Sequence, residues 1–241
     1  MYSVWAAARR FLSNSLAKAA PYIQFIASLS YLNLRGMVAL AGIVIPFLML
    51  LTEVVLIYFN PGYNPIVESI SVLGLKPLGW VQSISFLIIG PLTEVFAFGL
   101  YFSVKRRTGF RTAIALLVFF GFGLLLIGAF RTQPSGGSYT VENMIHYLTA
   151  RTIFALFPIA CFLIAASLRA DPDWKVLFSY TVFTGVIASV LVILWISFQF
   201  QINWFGLYER ILVANAVVWL EVMAVNLLRL SMRQRREEGA T

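Results

Sequence analysis

Six long apolar runs alternate with short polar segments along this 241-residue chain. A helix rises 1.5 Å per residue, so about 20 residues cross the roughly 30 Å of hydrocarbon in a bilayer. The pattern predicts an all-α, polytopic membrane protein with six transmembrane helices and both termini on the same side. The runs are Met37–Phe59, Trp80–Val104, Thr112–Phe130, Asn143–Leu168, Val176–Phe200 and Gly206–Leu228.

The N-terminal segment has a different pattern, which predicts a helix lying in the membrane interface. Between Trp5 and Ala19, apolar residues recur at steps of three and four with basic residues largely between them, and Pro21 would end such a helix. The basic residues also interrupt any signal-peptide apolar region, so we expect the segment to be retained. The hydrophobic fraction of 60% leaves no room for a separate soluble domain. The predicted organisation is a cytoplasmic interfacial segment (1–36), a transmembrane domain (37–229) and a basic cytoplasmic tail (230–241).

The connection after the first run contains a further short apolar pattern. From Ile66 to Leu75, apolar residues mix with acidic and hydroxyl residues, and the segment is too short to span a membrane. Gly74 and the Lys76-Pro77 pair follow the pattern of a helix end. The sequence therefore predicts a short external amphipathic helix over Ile66–Leu75.

Basic residues fall on alternate connections, which predicts the orientation. Of the 18 Lys and Arg residues, fourteen lie in the N-terminal segment, the second-to-third and fourth-to-fifth connections, and the tail. Positive charge beside a helix resists translocation, so we expect both termini to be cytoplasmic and the protein to lie in the plasma (inner) membrane of a bacterial-type cell. The formal charge of +8 is then a topology signal, which favours membrane lipids over nucleic acid as partners. The four exceptions are Lys76, Arg131, Arg151 and Arg210.

Four ionisable residues stand out deep within the apolar runs, where charge is costly and normally faces the bundle interior or water. Glu53 and Arg151 have opposite charge and a similar estimated depth, which predicts an internal ion pair. Glu94 and Glu221 also share an estimated depth. If their helices are adjacent, these acids would share a proton or a cation. The alternative is that each one bonds a neighbouring helix separately.

A second polar group is expected near the outer surface, where it would form a ligand site. Glu142 and His146 are four residues apart and share a helix face, which suits acid–base chemistry or metal binding with partners from elsewhere. The alternative for this one histidine is a structural role. The sequence has no HExxH set, Gly-rich phosphate loop or GxSxG elbow, so it assigns no catalytic residue, metal ligand or cofactor. The candidate ligand-binding residues are Glu68, Ser71, Arg131, Glu142, His146 and Arg210.

Three segments together resemble the domain-of-unknown-function 998 membrane family. They are "PGYNPIVESISVLGLKPLGWVQSISFLIIGPL", "GAFRTQPSGG" and "ENMIHYLTARTIFALFPIA", and the resemblance covers roughly 37–229. The resemblance implies a six-helix membrane fold. It supplies no reaction, substrate or catalytic residue.

Taken together, these patterns favour a non-catalytic membrane protein that uses its outer face and bundle surface to bind a lipid or other amphiphile. Service as an accessory subunit of a membrane protein complex has equal support. The alternative is a proton-coupled secondary transporter that uses Glu94 and Glu221, and a membrane-embedded enzyme is a third interpretation.

Overall fold

The protein folds as six long helices, and the expectation of an all-α membrane protein is confirmed. The computed structural model describes residues 34–133, 140–198 and 203–238. All six helices are long and apolar enough to cross a membrane. The helices are α1 (Leu34–Phe59), α2 (Gly79–Ser103), α3 (Phe110–Ala129), α4 (Val141–Ala170), α5 (Phe178–Phe198) and α6 (Phe205–Glu238).

The helices form a closed ring in chain order. Each helix packs against its neighbours in sequence, and α1 packs against α6 to close the ring. Short connections force consecutive helices to run antiparallel, so the connections α1–α2, α3–α4 and α5–α6 lie at one end of the bundle. This end is called the loop end below, and the other end, which carries both termini of the described chain, is called the terminal end.

The outer surface of the ring is apolar, as a membrane requires. Large side chains point away from the bundle on every helix, including Leu50, Phe98 and Ile193, which are 62%, 59% and 61% exposed. An exposed apolar surface of this extent is favourable in lipid and unfavourable in water. The chain is therefore a multi-pass membrane protein.

Close approach of α2 and α3 depends on two glycines. A Cβ built on Gly90 would lie 2.7 Å from the Gly121 carbonyl oxygen, and one built on Gly121 would lie 2.8 Å from the Gly90 oxygen. Helix interfaces in membranes use small residues in this way because packing contacts drive association there. The crossing also brings the side chain of Glu94 against Gly121.

The short helix in the first connection differs from its prediction. It is a 3-10 helix over Ile70–Leu75, rather than a helix over Ile66–Leu75. Side chains already bind the backbone of the preceding residues: the Tyr63 hydroxyl donates to the Glu68 and Ser69 carbonyls, and Asn64 accepts from the Ile66 N–H. The helix also does not lie flat on the surface, because Ile70 is 5% exposed and packs inward.

Three further predictions concern the ends of the chain. The predicted interfacial helix lies outside the described residues, and the cytoplasmic location of the termini stays a prediction. Helix α6 continues to Glu238, so the segment predicted as a tail is helical as far as that residue.

Candidate functional site

Arg210 joins the loop end of the bundle to the first connection. Its Nε donates to the Glu53 carboxylate in α1. Its Nη1 donates to the carbonyl oxygens of Pro65, Glu68 and Gly206 at 2.6, 3.2 and 2.9 Å. Its Nη2 donates to the Tyr63 hydroxyl at 2.6 Å. With a side-chain exposure of 16% and this set of partners, Arg210 holds three segments together.

Two titratable side chains of the first connection belong to the same network. Burial raises the pKa of Tyr63 to about 12, although the hydrogen bond from Arg210 opposes that rise. The pKa of Glu68 is lowered, mainly because its carboxylate accepts from the Asn64 N–H at 2.8 Å. Lys76 adds an ion pair with Glu68 at 3.2 Å. Glu68 therefore stabilises the turn in which it lies.

The 3-10 helix is attached to the bundle at its first residue. The Ile70 N–H donates to the Glu209 carboxylate of α6 at 2.5 Å. The Gln82 amide of α2 donates to the Ile70 carbonyl at 2.8 Å. These bonds place the next residue, Ser71, over the axis of the ring.

Ser71 meets His146 of α4 at this point. The Ser71 Oγ lies 3.0 Å from His146 Nε2, and His146 Nδ1 lies 2.7 Å from the Phe130 carbonyl oxygen. His146 is 7% exposed. Two of the candidate ligand-binding residues are thus in direct contact, although 75 positions separate them in the chain.

An apolar cavity lies beneath this pair, on the axis of the ring. All six helices and the 3-10 helix contribute to its wall, which includes Phe120, Phe154 and Leu212. Trp195 of α5 also lines the cavity and is 5% exposed. Its indole N–H has no hydrogen-bond partner in the described part of the chain. The cavity therefore combines an apolar wall with one unused donor and the Ser71–His146 pair.

The predicted pairing of Glu142 with His146 is not what the structure shows. The Glu142 carboxylate accepts from the Arg131 backbone N–H at 3.2 Å, while both ring nitrogens of His146 have the other partners given above. Glu142 lies in the first turn of α4, at the surface, where it faces the end of α3 rather than the ring axis. Arg131 lines a second, smaller pocket with Ser71 and His146.

The predicted ion pair between Glu53 and Arg151 is wrong. Glu53 pairs with Arg210, whereas the Arg151 guanidinium lies 4.7 Å from the centre of the Tyr147 ring on its own helix. The prediction rested on equal estimated depth, but α1 and α4 are not neighbours in the ring. Opposite charge at equal depth makes a pair only where the helices pack together.

Glu94 and Glu221 are directed to different helix interfaces. Glu94 packs against Gly121 of α3. Glu221 lines a groove between α1 and α6. This arrangement matches the separate placement that the sequence left open, rather than a shared proton or cation.

That groove opens on the outer, apolar surface of the ring. It has a volume of about 530 Å³ and lies beside Pro46, the proline inside α1. Glu53 and Arg210 line it toward the loop end, and Glu221 lines it farther along α6. Its other wall residues are apolar, namely Phe47, Met49, Leu50, Val54, Ile57, Ile70, Val213, Ala214, Val217 and Val218.

Sequence reasoning overlooked Trp195, Tyr63 and Gln82 as parts of this region. Trp195 lies within an apolar run and gives no polar signal of its own. Tyr63 and Gln82 could have been noticed as polar groups beside the predicted short helix, but only the fold brings them to Arg210 and Ile70.

Comparison with known proteins identifies the family. The family model described as "Protein of unknown function (DUF998)" matches residues 26–226. The chain belongs to this family, which confirms the resemblance found in the sequence. No curated protein and no solved structure matches it.

Proposed function

We propose that this member of the DUF998 family binds the acyl chain of a lipid or another amphiphile in the groove between α1 and α6. One observation carries the proposal: the groove opens sideways, toward the region that lipid chains occupy, and its volume of about 530 Å³ is that of a small-molecule site. A groove with apolar walls in a bilayer is filled by apolar chains, because water has no polar partners along most of its length.

The dimensions of the groove suit an extended chain. Its wall follows α1 from Pro46 to Ile57, which is about 16 Å at 1.5 Å per residue. The side chains of Phe47, Leu50 and Val54 along it are more than half exposed, so they are accessible to lipid. One acyl chain lying along α1 would cover this apolar strip.

The polar residues of the groove define what can lie at its two ends. Arg210 donates hydrogen bonds to Glu53, Tyr63 and backbone carbonyls, so it is poorly placed to bind a headgroup. Glu221 makes no hydrogen bond with the residues that the structure describes and is partly buried in the wall. A hydroxyl or amine of the bound amphiphile would satisfy the Glu221 carboxyl group, which otherwise lies in a low-dielectric setting.

The alternative of a proton-coupled carrier has less support than lipid binding. Such a carrier was expected to use Glu94 together with Glu221, but these residues face α3 and the α1–α6 groove. An accessory role in a membrane complex would use the same exposed groove walls. Lipid binding and an accessory role differ in what co-purifies with the protein, which is a lipid in the first case and a second protein in the other.

The test uses a phospholipid with a photoreactive acyl chain, added to the full chain in mild detergent. We expect cross-links to concentrate on peptides of α1 and α6 that contain Leu50, Val54 and Val218. Ala214→Trp should lower the cross-linking yield, because Ala214 lines the groove and an indole would fill it.

The matched control is Ala115→Trp on α3, which adds the same ring at another exposed position. This variant should keep the wild-type yield on α1 and α6. Even labelling of all six helices, or equal yields from the two tryptophan variants, would contradict the proposal. Native mass spectrometry of the unlabelled protein distinguishes lipid binding from an accessory role, because a subunit of a complex would carry a second protein.

A further inference from the structure

The Ser71–His146 contact has the hydrogen-bond polarity of a nucleophile and its base. The Phe130 carbonyl has no proton to give, so His146 Nδ1 must carry the proton in that 2.7 Å bond. The neutral ring then has its lone pair on Nε2, and Ser71 Oγ donates to it at 3.0 Å. A hydroxyl donating to an imidazole whose other nitrogen is held by an acceptor is the arrangement that activates serine for acyl transfer.

The pair lies in the partition between two pockets of different character. On the inner side is the apolar cavity on the ring axis. On the loop-end side is the smaller pocket whose wall includes Arg131, Thr132 and Ser83. Ser71 and His146 line both pockets. A molecule that crosses the partition would place an apolar part inside and a polar or anionic part beside Arg131.

Trp195, in the wall of the inner cavity, has an unused hydrogen-bond donor. The Trp195 indole N–H is buried and has no partner among the residues that the structure describes. A buried donor without a partner costs free energy, which an acceptor oxygen in the cavity would recover. This second observation is independent of the Ser71–His146 contact and indicates a ligand with a carbonyl or similar oxygen.

We propose that Ser71 and His146 catalyse acyl transfer from a carboxylic ester with a short acyl group. The acyl group would occupy the apolar cavity, whose volume of about 40 Å³ limits it to a few carbon atoms, and the polar or anionic alcohol part would lie toward Arg131. Trp195 is the proposed donor to the carbonyl oxygen of the ester.

The chemistry balances with water as the second substrate. Ser71 Oγ attacks the ester carbonyl carbon and gives its proton to His146 Nε2, while the negative oxygen accepts from Trp195. The bond from that carbon to the alcohol oxygen then breaks, and the alcohol leaves with the proton from His146. Water gives a proton to His146 and attacks the acyl-serine, which releases the carboxylic acid and restores Ser71.

Access to the cavity requires the 3-10 helix to move, since that helix carries Ser71 and closes one end of the space. Its first residue is held by Glu209 and Gln82. These contacts are hydrogen bonds to the backbone of Ile70, and the opening movement must break them.

The test exposes the full chain in mild detergent to an alkyl fluorophosphonate, which forms a stable bond with an activated serine. We expect time-dependent labelling of the wild type, with the added mass on the peptide that contains Ser71. His146→Gln should slow labelling by about 100-fold or more, because the general base is lost. Trp195→Phe should keep the packing and slow hydrolysis of p-nitrophenyl acetate by about 100-fold, the effect of removing an oxyanion donor.

Ser179→Ala is the matched control, since Ser179 is an exposed serine at the start of α5, at the terminal end of the bundle and away from both pockets. It should keep the wild-type labelling rate, whereas Ser71→Ala should abolish labelling. Failure to label Ser71 in the folded wild type would overturn the proposal, whatever the outcome of the groove experiment. Labelling of Ser71 at equal rates in the wild type and His146→Gln would also overturn it, because an exposed serine reacts without a base.

Discussion

Glu53 of α1 forms an ion pair with Arg210 of α6, and this contact joins the first and last helices of the ring. Both side chains are 16% exposed, so the pair is screened little by solvent. Arg210 also holds the carbonyl oxygens of the first connection. One residue of α6 thereby fixes the ring closure and the segment that carries Ser71.

Arg210→Ala should be strongly destabilising. The substitution leaves the Glu53 carboxylate buried without its cation and removes the donor to several carbonyl oxygens. Breaking a buried ion pair in this way costs about 3–5 kcal/mol of folding free energy. Glu53→Gln should cost less, because the amide oxygen can still accept from Arg210. The measurement is denaturant-induced unfolding in micelles, with the exposed Arg131→Ala as the control. Equal losses from Arg210→Ala and Arg131→Ala would show that the network contributes little.

Gly206 should not tolerate a side chain, whereas Gly62 in the same region should. A Cβ on Gly206 would lie 2.2 Å from the Glu68 carbonyl oxygen and 2.6 Å from that of Pro65. Nothing lies within 4 Å of a Cβ on Gly62. Because the obstructing atoms are backbone, we expect Gly206→Ala to cost about 1–3 kcal/mol and Gly62→Ala to be nearly neutral. If the two variants have the same unfolding midpoint, the close approach of α6 to the first connection is refuted.

The contribution of Tyr63 should depend on pH. Tyr63→Phe removes the acceptor for Arg210 and the donor to two carbonyls, so at pH 7 it should destabilise by about 1–3 kcal/mol. The folded-state pKa of about 12 lies above the unfolded value of 10, so the folded protein holds this proton more tightly. Stability from this group is present below pH 10 and is lost as pH rises toward 12. The gap in melting temperature between wild type and Tyr63→Phe should therefore shrink over that interval, and a constant gap would argue against burial of the hydroxyl.

Cysteine labelling tests the orientation that the basic residues predict. Gly62→Cys lies at the loop end, and Thr108→Cys lies in the exposed α2–α3 connection at the terminal end. A membrane-impermeant maleimide should label Gly62→Cys in intact cells and Thr108→Cys only after permeabilisation. The natural Cys161 is buried and should give no background. Labelling of Thr108→Cys alone in intact cells would reverse the predicted orientation.

The hydrophobic pattern by itself determined the six helices. In a bilayer, backbone groups must be satisfied within each segment, so a long apolar run has one stable form, and the information is local. The same pattern shows which ionisable residues lie inside the membrane, because their depth follows from their place in a run. The segments around the first and second loop-end connections likewise predicted the family, which the family model confirms.

Which of those residues meet was decided by the order of the helices in the ring. Depth alone matched Glu53 to Arg151, yet α1 packs on α6, and Arg210 is the cation within reach. The 3-10 helix is shorter than predicted because Tyr63 and Asn64, together with the distant Arg210, bind the backbone before Ile70. Ser71 and His146 meet because that helix folds over the axis toward α4, a relation between elements that no local pattern encodes.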